Sequence, residues 1–213
     1  MAGTPKTSRL IRLAGSKVSL RLSEADKAFL KDLATLQLIS SDLADQNHYA
    51  HLKGASGRSL ERLEKAGLIS SKRLHRKDGP PLKTWQFANQ SIAGAFGGKL
   101  PVTGAKRTDL HELMTSRAYY ALGRPASFKL ASHFTAGEIA ACGSLRPDAL
   151  YTDTATGEMV LVEADSGQYT KSQIQDKVAR WRAAGHTRQV WAQPAHARIA
   201  KVPPLPGIMV MRF

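Results

Sequence analysis

Three carboxylates stand near one another around a pair of apolar runs. Asp148 lies in Arg146-Pro-Asp-Ala-Leu-Tyr, and Glu163 and Asp165 close the run Met159-Val-Leu-Val-Glu-Ala-Asp-Ser-Gly. A Thr/Gly stretch between the two runs reads as a hairpin turn, so the pattern is strand, turn, strand. Acids gathered at one end of an apolar hairpin repel each other unless a cation, a base or a proton lies between them. Asp165-Ser166-Gly167 is also ordinary turn chemistry, which gives Asp165 a second, purely structural reading.

The surrounding pattern supplies elements to hold these acids. A helix starts at Thr108 or Asp109, with Leu110, Leu113, Met114, Arg117, Ala118 and Ala121 as its inward stripe. His111 falls at the edge of that stripe and Glu112 on the far side; a lone His near a helix start is usually capped or solvated. Residues 126–132 read as a strand and 134–139 as a loop before the hairpin. Beyond it, 171–184 reads as a helix with Ile174, Val178 and Trp181 on one face, then 188–193 and 207–213 as strands. The order is helix, three strands, helix, strand, strand.

That order, Pro147-Asp148, the 15-residue step to Glu163 and the acid two positions further resemble the PD-(D/E)xK nuclease superfamily over residues 106–213. The resemblance implies a restriction-endonuclease-like α/β domain, a mixed sheet flanked by helices. It implies Asp148 and Glu163 as ligands of a divalent metal. Hard carboxylate oxygens suit Mg²⁺ or Mn²⁺, which lower the pKa of bound water and stabilise charge on a phosphate. The family's Lys, two residues after the Glu, is Asp165 here. Lys177 is the expected replacement, since it flanks the Ile174/Val178/Trp181 face and can snorkel towards the sheet end; Lys171, on the opposite flank, is the second choice. The catalytic set expected is Asp148, Glu163, Asp165 and Lys177. Asp109-Leu-His-Glu-Leu, Arg146-Pro-Asp-Ala-Leu, Glu163-Ala-Asp-Ser-Gly and Gln175-Asp-Lys with Trp181 also resemble plasmid replication-relaxation proteins and C-class mobilisation relaxases.

The N-terminal half has a different pattern. Residues 1–21 are basic and read either as an arm on DNA or as a solvated tail with an entry strand at 17–22. Ser23 and Asp26 form an acidic variant of a capping box before a helix with Phe29, Leu30, Leu33, Leu36 and Leu38. A second short helix runs from Ser41 to about Tyr49. Ser56 or Gly57 caps a third, which stops at Gly67. Residues 68–76 and 82–87 read as strands around the turn Lys77-Asp-Gly-Pro-Pro. Three short helices and a basic hairpin resemble a winged helix-turn-helix over residues 22–90. The third helix buries Leu60 and Leu63 and turns Arg58, Ser59, Arg62 and Lys65 outward. From Arg58 to Lys83 there are eight Lys/Arg and three acids. Arg58, Ser59, Arg62, Lys65, Lys72, Arg73, Arg76, Lys77 and Lys83 are therefore the expected DNA contacts, helix residues to base edges and hairpin residues to phosphates or the minor groove. A solvated helical face with a Glu61/Lys65 pair is the bland alternative. Residues 91–104, rich in Gly and small side chains, read as a linker or domain seam. Gly97-Gly98-Lys99 lacks Walker spacing.

Composition agrees with a polyanionic partner. The 213 residues carry 31 Lys+Arg against 17 Asp+Glu, a net charge of +14, with a pI near 10.2. No apolar run approaches the roughly 18 residues of a spanning helix, and the first residues lack the apolar core of a signal peptide. One cysteine, Cys142, excludes a disulfide framework or a Cys-based zinc site and fits a reducing cytoplasm.

The expectation is an α+β chain of two domains: a basic arm (1–21), a winged helix-turn-helix (22–96), a linker (97–105) and a PD-(D/E)xK nuclease-like domain (106–213). The function expected is sequence-specific binding of double-stranded DNA by a plasmid or mobile-element protein. It would act as a transcriptional regulator or as an accessory in transfer or replication. The alternative is a Mg- or Mn-dependent DNA nickase or endonuclease; a protein-interaction module is a third reading. Expected partners are duplex DNA, other plasmid-transfer or replication proteins, and a second copy in a homodimer, with no membrane.

Overall fold

The computed structural model describes residues 10–12, 19–52, 56–74, 80–100, 109–143, 145–195 and 201–213. The fold is mixed α+β, and the chain divides into two compact units, Met1–Thr103 and Gly104–Phe213. No helix among the described residues is long and apolar enough to cross a membrane.

In the first unit β1 (Leu10–Arg12) and β2 (Ser19–Arg21) form an antiparallel pair. Helix α1 (Glu24–Leu36) begins at the capping box read from the sequence. The Ser23 hydroxyl accepts from the Asp26 amide at 3.1 Å, and the Asp26 carboxylate accepts from the Ser23 amide at 2.8 Å. Its face of Phe29, Leu30, Leu33 and Leu36 is buried. Next come β3 (Ile39–Ser40), α2 (Ser41–Ala44) running on into a π-turn at Asp45–Tyr49, and α3 (Ser56–Lys65). Helix α3 buries Leu60 and Leu63 and ends as expected. Gly67 takes φ +74°, and the Leu68 amide closes back on the Leu63 carbonyl at 3.0 Å, a C-terminal cap that favours glycine. Strands β4 (Ile69–Leu74) and β5 (Leu82–Phe87) form an antiparallel hairpin, and β3 adds to β5, giving the order β3-β5-β4.

The stretch 91–104, read as a linker or domain seam, is helical in its first part, before the linker expected at 97–105. Residues Gln90–Ala95 form a helix, α4, whose N-terminus is capped by Asn89: its side-chain oxygen accepts from the Ile92 amide at 3.0 Å. Ala93 is fully buried, and Phe96 stacks on Phe87 with ring centroids 5.4 Å apart. A Cβ on Gly98 would lie 2.8 Å from the Ala34 Cα, so the small residue marks a close approach of two backbones. Smallness here serves packing. The remainder of the expected linker, 101–105, lies outside the described residues.

The second unit is built on one mixed sheet. Its elements are α5 (Asp109–Ala121), β6 (Lys129–Leu130), a 3₁₀ turn at Ala131–His133, α6 (Ala136–Ala141), β7 (Ala149–Thr152), β8 (Met159–Ala164), α7 (Lys171–Ala183), β9 (Gln189–Gln193) and β10 (Ile208–Arg212). The strand order is β10-β9-β8-β7-β6. β6, β7 and β8 pair antiparallel; β8, β9 and β10 pair parallel, with α7 as the crossover between β8 and β9. Leu150, Leu161, Trp191, Ile174, Val178 and Trp181 form the core between sheet and α7.

Two local expectations fail here. The loop read at 134–139 contains α6, started by a reciprocal capping box of Thr135 and Glu138. On α5, Ala121 is exposed and Leu110 and Arg117 are half-buried, while Thr115 and Ser116 are buried. Their hydroxyls donate to the carbonyls of His111 and Glu112, at 3.1 and 3.0 Å, so they enter the interior without an unmet donor.

Candidate functional site

Strand alternation decides where the acids go. Glu163 lies two residues from Leu161 and therefore on the face that Leu161 turns to α7. Asp148 immediately precedes β7; its amide donates to the Val162 carbonyl at 3.0 Å, which sets it beside the end of β8. One Asp148 oxygen, Oδ2, accepts from the Ala164 amide at 2.8 Å and pairs with His111 Nε2 at 2.7 Å. Glu163 is fully buried, and its Oε1 accepts from the Tyr169 hydroxyl at 2.6 Å and from the Lys177 ammonium. Lys177 also donates to the Tyr169 oxygen at 3.1 Å and lies 5.1 Å from the ring centres of Tyr169 and Trp181. The other Glu163 oxygen, Oε2, is buried with no hydrogen-bond partner among the described residues.

These surroundings push the Glu163 carboxyl up to about 7. Burial is the main cause, the nearby Asp148 charge adds to it, and the Lys177 ammonium and Tyr169 hydroxyl oppose both. The Tyr169 hydroxyl is raised too, first by burial and then by the Glu163 charge, so it is a donor throughout the ordinary pH range.

The structure thus brings Asp148, Glu163 and Lys177 together, and adds His111 and Tyr169. Lys171 is exposed in the first turn of α7. Asp165 is corrected from site acid to turn residue. Its Oδ1 accepts from the amides of Gly167 at 2.8 Å and Tyr169 at 3.4 Å, and its Oδ2 from Gln193 Nε2 at 3.0 Å. A carboxylate so engaged by neutral donors is holding backbone. His111 was at the right edge of its helix in the sequence, but nothing there marked its partner. Tyr169 had no sequence signal beyond a polar-tipped aromatic shortly before a helix.

Does a divalent metal fit? Among the described residues no cluster of three or more His, Cys, Asp or Glu side chains is grouped to hold one. The donor set is two carboxylates, one with a buried oxygen lacking any donor. That is compatible with Mg²⁺ or Mn²⁺, which often take one or two carboxylates and complete their shell with water and substrate phosphate.

The first unit holds the expected DNA contacts. Arg58 and Lys65 are exposed on α3 and Arg73 on β4, while Ser59 and Lys72 are half-buried. Arg62 does not face outward freely: its guanidinium donates to the fully buried Asp26 carboxylate and, at 2.9 Å, to the Arg21 carbonyl. The α1 cap acid is buried, and the Arg62 guanidinium supplies its opposite charge. Lys83 lies 4.3 Å above the Trp85 ring and 4.0 Å from Glu64. Arg76 and Lys77 lie outside the described residues.

Set against family models, curated proteins and solved structures, the chain matches none.

Proposed function

We propose that the chain is a DNA-binding protein whose second unit is a metal-dependent DNA nickase or endonuclease of the PD-(D/E)xK kind. The observation that carries this reading is the Lys177 ammonium on Glu163, beside Asp148, with the second Glu163 oxygen unpartnered. The element order of this unit, and its sheet with three antiparallel and two further parallel strands, supports the same reading. In that kind of site a Lys near the Glu is the part that Asp165 had put in doubt.

Asp148 and Glu163 would hold the metal, whose chemistry when bound is to lower the pKa of a water and stabilise charge on a phosphate. His111 and the Ala164 amide fix the orientation of Asp148. Lys177 keeps an ammonium at the mouth of the site, where it orients the attacking water and offsets charge building on the phosphate oxygens. One P–O bond forms to the water oxygen as one ester P–O bond breaks. Raised to about 7, Glu163 is partly protonated in neutral solution. Activity should therefore rise with pH as it ionises.

The first unit supports duplex binding. Its order α1, β3, α2, α3, β4, β5 agrees with what the winged helix-turn-helix resemblance implies, and Arg58 and Lys65 are exposed on the third helix and Arg73 on the hairpin. A reading as a regulator or transfer accessory that binds without cutting is favoured by one observation. Asp165, not a lysine, stands two residues after Glu163, and its carboxylate is taken up by loop and strand donors.

Supercoiled plasmid incubated with Mg²⁺ or Mn²⁺ separates the two. Cleavage by the wild type that is lost in both Asp148→Ala and Glu163→Ala supports the nuclease. Salt-sensitive binding with no nicking in either metal leaves the regulator.

A further inference from the structure

Asp165 occupies the position where the sequence pattern expected a cation, and its actual contacts give it another task. Its backbone amide donates to the Ala192 carbonyl of β9 at 2.9 Å, and its carboxylate ties Gln193 of the same strand to the amides of Gly167 and Tyr169. The loop from β8 to α7 is thereby fastened at its first residue. Gly167 takes φ +89° within it, which lets the chain double back. At its far end the Tyr169 ring packs edge-on against Trp191, with centroids 6.3 Å apart. That packing sets where the hydroxyl lies.

The hydroxyl closes a three-way set of contacts. It donates to Glu163 Oε1, accepts from Lys177, and Lys177 donates to the same Oε1. A carboxylate that turns about its last bond exchanges its two oxygens. Two donors on Oε1, themselves bonded to each other, remove that freedom and leave Oε2 as the oxygen without a partner.

We propose that Asp165 and Tyr169 are positioning residues: Asp165 pins the β8–α7 loop, and Tyr169 at its end locks Glu163 and Lys177 so that Oε2 alone is presented to the cation. This inference rests on the metal-dependent reading above. It converts the departure from the expected motif into a part of the site, because the acid at 165 places the group that steadies the relocated Lys.

The test is calorimetric titration of the full chain with Mn²⁺, without DNA, for wild type, Tyr169→Phe, Asp165→Ala, Asp165→Asn, the double variant Asp165→Ala/Tyr169→Phe, and Asp148→Ala. Removing an outer-shell partner of a metal ligand typically weakens affinity about 10- to 100-fold. Tyr169→Phe keeps the ring on Trp191, so that loss is expected with little change in the unfolding midpoint. Asp165→Ala should lose a similar factor, and the double variant no more than either alone, because both act through one hydroxyl. Asp165→Asn keeps an oxygen for the loop amides but loses the acceptor for Gln193 Nε2, so its affinity should fall between those of wild type and the Ala variant. Mn²⁺ affinity unchanged in Tyr169→Phe overturns the proposal, and this variant decides it if Asp165→Ala does not fold. Losses that multiply overturn it by making Asp165 act on the cation apart from the Tyr169 hydroxyl. Wild type that binds no Mn²⁺, or binds it equally with Asp148→Ala, overturns the metal reading itself and this inference with it.

Discussion

Glu163 is an acid set where its charged form is costly. It is fully buried, beside a second acid, with one oxygen unpaired. Its folded-state pKa, about 7, lies above the ordinary 4.5. The folded state therefore holds this proton more tightly than the unfolded chain does. The associated stability is fully present below pH 4.5 and is lost as pH rises through about 7. Urea unfolding at pH 5 and pH 8 should show the wild type losing more stability over that interval than Glu163→Gln; parallel profiles contradict the assignment. Lys177 was looked for only because the resemblance implies a lysine on the next helix; helical spacing then set it beside Ile174, Val178 and Trp181, with a side chain long enough to reach along that flank. The contacts of His111 and Tyr169 were not legible, because each depends on a partner far away in sequence or on the course of a loop. Arg62 was misread for a related reason. A helical wheel shows which way a residue points and does not show that a buried Asp26 waits across a neighbouring helix.

Arg62 joins α3 to the start of α1, which makes it a structural tie between elements. Arg62→Ala removes the cation of a fully buried carboxylate that retains Ser23 and Tyr49 as donors. The expected cost is about 2 kcal/mol, below the full penalty for an abandoned buried charge. Arg58→Ala, at an exposed position, should change stability by no more than about 0.5 kcal/mol yet weaken binding to duplex DNA. Urea midpoints and gel-shift titrations of the two variants check both halves; the opposite pattern restores Arg62 to the DNA surface. The packing of Gly98 on Ala34 gives a further expectation. Gly98→Ala places a Cβ 2.8 Å from the Ala34 Cα, against backbone that cannot easily give way. It should lower stability by roughly 1–3 kcal/mol, read as a drop in melting temperature. Helices with long apolar stripes or strong caps, α1, α3 and α7, were legible in the chain. The six-residue α4 and α6 were not: neither has room for a periodic stripe. Asn89 and the Thr135/Glu138 pair were their visible signals. Thr115 and Ser116 escaped the wheel because their hydroxyls satisfy themselves within α5.

Taken together, the two units combine a basic, helix-and-hairpin body with a mixed sheet that gathers two carboxylates and a lysine at one end. The net charge of +14 predicts that affinity for duplex DNA falls steeply with salt. Each phosphate contact neutralised by a cation contributes roughly one unit to the slope of log K against log salt. A slope near zero in binding titrations across salt concentrations contradicts a DNA partner. The α+β class and the succession of the longer elements could be read from turn signals and apolar periods, because those are local. How the sheet brings residue 177 back to residue 163 could only be anticipated from the resemblance, since it depends on a parallel crossover. Whether Lys177, from α7, takes the place that Asp165 leaves is read from the initial rate of Mn²⁺-dependent nicking of supercoiled plasmid by wild type, Lys177→Met and Lys171→Met. Lys177→Met is predicted to lose about 100-fold, the scale of one lost charge-stabilising donor, while Lys171→Met keeps the wild-type rate; equal rates for wild type and Lys177→Met contradict the account.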